Sequence, residues 1–350
     1  MTDRLKALLD QRPWLLADGA TGSNLFDRGL QSGDAPELWN IEHPDRVADL
    51  HRNFVDAGAD IILTNSFGGT RHRLKLHKAE HRVGELNERA AALAQGVAAR
   101  ADRVVLVAGS MGPTGEILEP LGPLGLDMAR ESFAEQAAAL ANGGADVLWI
   151  ETMSSVEETE AAIAGARTVG LPVVATLSFD TNGRTMMGVT PADLAGLQRK
   201  HQLAGCGSNC GIGPSELVAS IVNLAAASAS ATVLVAKANC GIPQFVDGAI
   251  RFNGTPELMS EYACLSYDAG ARIIGGCCGT TPEHLKVMRQ ALERHVRGPL
   301  PDLATIEARL GAISTGATAQ LGGNLDRQSG AAPGAILRRS TGRRGARPNP

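Results

Sequence analysis

Eight short apolar, β-branched runs alternate along the chain with eight longer stretches of helical spacing, and this alternation constrains the fold more than any other feature. The runs are WLLAD ending at Asp18, DIILTN ending at Asn65, VVLVAGS ending at Ser110 and DVLWIE ending at Glu151. They continue with PVVATLSF ending at Phe179, GCGSNC ending at Cys210, TVLVAKAN ending at Asn239 and ARIIGG ending at Gly276. Most end in or are followed by Gly, Asn, Asp or Ser, as strands are. Between them the spacing predicts helices over 45–57, 84–100, 128–142, 155–168, 191–200, 215–227, 256–268 and 282–296, several with Pro in the first turn. Eight is the number at which a parallel sheet closes, so the expected fold class is α/β, a (β/α)8 TIM barrel. GCGSNC is the poorest strand on propensity, with two glycines and no β-branched residue. A doubly wound open sheet fits less well, because DGATGSNL lacks the Gly-x-Gly-x-x-Gly turn of a dinucleotide site.

A chain of 350 residues, 44% hydrophobic, accommodates a barrel of roughly 250 residues with insertions. The expected division is a barrel over 1–300 and a C-terminal extension over 301–350. From about Thr315 the extension turns to Gly, Ala, Ser and Arg without an apolar period, which predicts disorder and leaves Arg338, Arg339, Arg343, Arg344 and Arg347 as a basic end. A formal net charge of -4 removes the general electrostatic argument for nucleic acid or an anionic membrane as partner. No signal-peptide pattern opens the chain and no run approaches about 18 apolar residues, so the expected setting is cytoplasmic and the expected partner a small molecule.

In a barrel, functional groups gather where strands end and βα loops begin. Asp18, Asn65, Glu151, Cys210, Asn239 and the adjacent Cys277 and Cys278 all fall at such ends. Neighbouring residues of a regular strand face opposite ways, so Cys277 and Cys278 reach one ion only where the backbone leaves strand geometry; Gly275, Gly276 and Gly279 ease that departure. Cys210, also among glycines, offers a third sulfur. Three thiolates suit a tetrahedral Zn²⁺ with one exchangeable position at the C-terminal mouth. A thiol ligand with pKa near ~8.5 would lose its proton there and become a nucleophile. A vicinal redox pair is the competing reading of Cys277 and Cys278. Cys206, Cys240 and Cys264 read as small packing residues.

The motifs LADGATGSNL, PELWNIEHPDRVADLHRNFVDAGADIILTNSFGGTRHRL, AGSMGPTGE, WIETMS, GSNCGIGP and IIGGCCGTTPEHL resemble the homocysteine S-methyltransferase family from about Leu16 to about Val296. As a whole the chain is most similar to bacterial betaine-homocysteine methyltransferases and to the homocysteine-binding module of cobalamin-dependent methionine synthase. The resemblance implies a (β/α)8 barrel with zinc held by Cys210, Cys277 and Cys278. Asn239 matches a residue that completes the metal shell in relatives, with a capping or turn role as the alternative. Asp18 and Glu151 would hold the substrate ammonium, with backbone amides around Gly19, Ala20 and Thr21 near its carboxylate.

The expected activity is methylation of homocysteine to methionine, with betaine or a related methylated compound as donor. Two departures bear on that donor: only 3% of residues are aromatic, and Thr152 stands where animal betaine enzymes carry an aromatic residue. Trp14, Trp39, Trp149 and Phe67 are candidates for a partial box and, alternatively, for core packing. One alternative is a freestanding homocysteine-activating subunit served by a methylcobalamin-carrying protein. It would dock through the basic cluster Arg71, His72, Arg73, Lys75, His77 and Lys78 or the loop GPTGEILEPLGPLG. An alternative of another class is a thiol- or zinc-binding regulatory protein.

Overall fold

The computed structural model describes residues 3–246 and 249–323. The apolar runs become eight parallel strands, β1 (Leu15–Leu16), β2 (Ile61–Leu63), β3 (Leu106–Met111), β4 (Val147–Met153), β5 (Val173–Leu177), β6 (Gly205–Cys210), β7 (Leu234–Ala238) and β8 (Ala271–Gly276). Their order is β1-β8-β7-β6-β5-β4-β3-β2, and a parallel bridge from Ala17 to Ile61 joins the two ends. The fold is therefore a (β/α)8 TIM barrel. The intervening helices Pro44–Asp56, Val83–Ala98, Leu126–Asn142, Val156–Ala166, Pro191–His201, Pro214–Ala227, Pro256–Asp268 and Pro282–Arg294 fall close to the stretches the spacing predicts.

Strand alternation divides the core in two. Leu15, Ile61, Leu63, Val147, Trp149, Val235 and Ile273 point inward and pack with Leu5, Leu8 and Leu9 of the N-terminal helix Arg4–Gln11. That helix closes the barrel at the end where the strands begin, since its Arg4 pairs with Asp146 just before β4. The alternate residues Leu16, Ile62, Leu148 and Ile150 pack outward against the helices. GCGSNC forms a full strand despite its composition. The reason is tertiary: Gly207 runs so close to β7 that any Cβ would collide with the Val235 carbonyl.

Elements that the periodicity does not announce flank this frame. A two-stranded hairpin, Pro243–Val246 with Ala249–Phe252, follows β7. Helices Leu303–Leu310 and Thr315–Leu321 follow the barrel, so the disorder expected from about 315 does not begin there. The small residues that suggested a solvated tail are contact residues. Gly316 N donates to Asn182 Oδ1 at 2.6 Å, Gln320 Nε2 donates to the Gly183 carbonyl at 2.9 Å, and Ser314 caps the helix. Residues 324–350, with the five arginines of the basic end, lie outside the described residues. Among the described residues no helix is long and apolar enough to cross a membrane.

The β1–β2 seam is the thinnest part of the wall, and two aspartates reinforce it. At its lower end Asp60, fully buried, accepts from Leu16 N at 3.0 Å, from Arg12 at 2.5 Å and from Arg289 at 3.0 Å. At its upper end Asp18 accepts from Leu63 N at 2.7 Å, while its own N–H donates to the Ile61 carbonyl at 2.9 Å. Asp60→Ala would leave a strand amide unpaired and two guanidinium groups crowded at the seam. The expected loss is about 3 kcal/mol or more in urea unfolding; a loss below about 1 kcal/mol would show that the seam does not depend on this residue.

Candidate metal and substrate centre

Cys210, Cys277 and Cys278 meet at the C-terminal mouth, their sulfurs all within 4.8 Å of one another and Cys210 Sγ 4.0 Å from Cys278 Sγ. Tetrahedral Zn–S bonds near 2.3 Å place sulfurs about 3.8 Å apart, so the cluster fits the ion that its donor set suits. Local backbone explains the convergence. β8 ends at Gly276 and the chain turns at once, with Cys277 N donating to the Ala238 carbonyl and Thr280 N to the Cys277 carbonyl at 3.0 Å. Cys210 and Gly211 are both left-handed, at φ 63° and 77°, which swings the Cys210 thiol toward the other two. Hydrogen bonds from Cys277 and Cys278 push the Cys210 thiol down to about 3, and the same contact raises Cys277 to about 12. Cys206, Cys240 and Cys264 are buried elsewhere, their thiols raised by burial.

Asn239 ties the two cysteine loops together. Its Nδ2 donates to the Gly211 carbonyl at 2.6 Å, and its Oδ1 accepts from Cys278 N at 3.1 Å. Asn209, which the motifs do not single out, does similar work on the other side. It exchanges two hydrogen bonds with Thr152, at 2.8 and 2.7 Å, and its Nδ2 lies 3.9 Å from Cys277 Sγ. Thr152 holds a left-handed backbone at φ 61°, an unusual conformation for a β-branched residue. Its side chain thus positions the turn between Glu151 and the thiols.

The cluster opens into a cavity of about 350 Å³ lined at one end by Gly19, Ala20, Thr21, Ser110, Glu151, Lys237 and the three cysteines. Asp34, Glu37, Asn65, Phe67, Arg73 and His77 also line it. Asp18 is not among the lining residues; it is 2% exposed and its Oδ1 accepts from Lys237 Nζ at 2.8 Å. Burial raises the Asp18 carboxyl even against that ammonium. Burial opposes the charge on Lys237, but Asp18 and Glu151 outweigh it and leave the amine above its ordinary value. Glu151 accepts from Ser110 Oγ, and burial pushes it up to about 7. Of the aromatic candidates only Phe67 lines the cavity; Trp14, Trp39 and Trp149 are core residues. In the basic cluster, Arg71 pairs with Glu135 while Arg73 and His77 face the cavity.

Comparison with known proteins agrees with the fold. The homocysteine S-methyltransferase family model matches residues 15–292. The methionine synthase of Mycobacterium tuberculosis (strain ATCC 25618 / H37Rv) is 30% identical over 308 residues, covering 81% of this chain and 25% of that protein. That of Mycobacterium leprae (strain TN) is 29% identical over 317 residues, covering 86% and 26%. The chain therefore spans about a quarter of the length of these relatives. The metallated form of the homocysteine methyltransferase MmuM from Escherichia coli superposes with a TM-score of 0.68 at 25% identity, covering 82% of this chain and 99% of that one. The chain belongs to the homocysteine S-methyltransferase family.

The raised Glu151 yields a stability prediction. Between its ordinary 4.5 and about 7 the folded chain holds a proton that the unfolded chain has released, so stability is lost as pH rises through that window. In the metal-free protein Glu151→Gln removes this slope, and the variant gains on the wild type by at most about 3 kcal/mol across the window. Unfolding curves against pH check it; a difference that stays flat contradicts the burial argument.

Proposed function

We propose that the protein is a zinc-dependent homocysteine S-methyltransferase that forms methionine. The observation that carries this reading is a single cavity that joins a three-thiol cluster to a buried carboxylate, a match for a ligand with a thiol at one end and an ammonium at the other. Bound by Cys210, Cys277 and Cys278, with Asn239 beside them, zinc would act as a Lewis acid that lets the substrate sulfur react as a thiolate. Glu151 takes the substrate ammonium, while Asp18 stays behind the cavity wall, bonded to Lys237. Gly19, Ala20 and Thr21, whose backbone amides are the candidates for the substrate carboxylate, line the same cavity. Holding the amino acid head fixes the direction of the sulfur, so alignment supplies a large part of the rate. Displacement forms the S–CH₃ bond and breaks the bond from methyl to donor, whose electron pair leaves with it.

For the donor we favour betaine or a related cationic methyl compound. The support is that Asp34, Glu37 and Phe67 line the cavity and suit a positive centre, while Arg73 and His77 beside Glu37 suit the carboxylate that betaine also carries. A second reading, a subunit served by a methylcobalamin-carrying protein, is favoured by the methionine synthase relatives. It also fits the exposed apolar residues Ile117, Leu121, Met186 and Met187 on the loops after β3 and β5.

The test is methionine formation from homocysteine by zinc-loaded protein with glycine betaine and methylcobalamin supplied separately. Turnover with betaine is the expected result, and turnover with methylcobalamin alone would support the second reading. Zinc binding without turnover from either would favour a thiol-binding regulatory protein. Cys277→Ser is expected to bring zinc below one equivalent per chain and activity down by more than about 100-fold. Retention of both would remove the thiol cluster from the mechanism.

A further inference from the structure

Lys237 occupies an inward position of β7, directly above Val235 in the barrel interior, and the motifs give it no role. It is 2% exposed, yet it lines the cavity, whereas its partner Asp18 does not. One of its three N–H donors goes to Asp18 Oδ1 at 2.8 Å. The ammonium lies 5.6 Å from the Trp149 ring, which is itself two residues below Glu151 on the next inward position of β4. A buried ion pair is weak support for stability, since apolar residues of similar volume serve as well. A lysine kept here needs a functional reason.

The chemistry of the pocket supplies one. Arg73 and His77, the other basic groups lining the cavity, stand beside Glu37, whereas Lys237 stands beside Asp18, Glu151 and Cys277. An α-amino acid presents one positive and one negative group on the same carbon. Glu151 provides the negative match and Lys237 the positive one, both at the thiol end of the cavity. We infer that Lys237 is the specificity-determining contact for the substrate carboxylate, with Asp18 serving as its counter-ion and not as a substrate ligand. The inference rests on the homocysteine reading, and it divides the work that Asp18 and Glu151 were expected to share.

The experiment compares zinc-loaded wild type with Asp18→Asn/Lys237→Met, which removes both charges and so leaves no buried ion alone. Titration calorimetry is run with L-homocysteine and with 3-aminopropane-1-thiol, the same molecule without its carboxylate; zinc content and thermal unfolding confirm that the variant is folded and loaded. Wild type is expected to prefer homocysteine by about 10- to 100-fold, the worth of a charge-assisted contact in a buried site. In the double variant the preference closes to within about threefold, because homocysteine weakens while the aminothiol does not. A preference that survives in the double variant, a wild type without preference, or equal weakening of both ligands overturns the assignment. Should the double variant fail to fold, Lys237→Gln, which keeps an amide donor for Asp18, is read by the same criteria. Failure of the wild type to bind homocysteine at all would instead overturn the functional reading beneath it.

Discussion

The buried pair of Asp18 and Lys237 links the closure of the barrel to the charge of the site. Asp18 holds β1 to β2 through the Leu63 amide with one oxygen and holds Lys237 from β7 with the other. Closure brings the ends of β1, β4, β6, β7 and β8 around one space, and the three thiols, Glu151, Lys237 and Gly19 to Thr21 project from these ends. Neutralising Asp18 internally leaves Glu151 as the carboxylate that faces the cavity near the thiols. A pair that is an indifferent stabiliser in isolation therefore decides which charges a ligand meets.

Much of this was legible in the sequence because strand ends are where a barrel collects its chemistry. The alternation of runs gave the fold, and glycines around Cys210 and Cys277-Cys278 signalled the departure from strand geometry that lets the sulfurs meet. Glu151, Gly19, Ala20 and Thr21 line the cavity. Lys237 precedes its strand end, yet its signal is present: along TVLVAKAN, Val235 and Lys237 share one face, and a lysine on an inward face demands a partner. Asn209 likewise precedes the end of its strand. Thr152 stands out in the sequence only as a missing aromatic ring, and its bonds to Asn209 depend on a left-handed turn that no periodicity announces. The helix Thr315–Leu321 was hidden by its composition, since small residues serve close packing as readily as solvation.

The proposed function separates activation from recognition within the site. Activation belongs to the thiol cluster, whose loops are fixed by Asn239 on one side and Asn209 on the other. Recognition belongs to Glu151 and Lys237, set on β4 and β7 above the apolar layer of Trp149 and Val235. Rigid strands on both sides hold the two functions at a fixed separation, which is what alignment of a sulfur with a methyl group requires.

The central claim is that the cavity strips the proton from a thiol while holding its amino acid head. Titration calorimetry of the zinc-loaded protein with L-homocysteine, repeated in buffers of differing ionisation enthalpy near pH 8, measures that proton directly. Release of most of one proton for each homocysteine bound, lost when the metal is chelated, is the predicted result. Binding without proton release, or binding that persists unchanged in the metal-free protein, would contradict it.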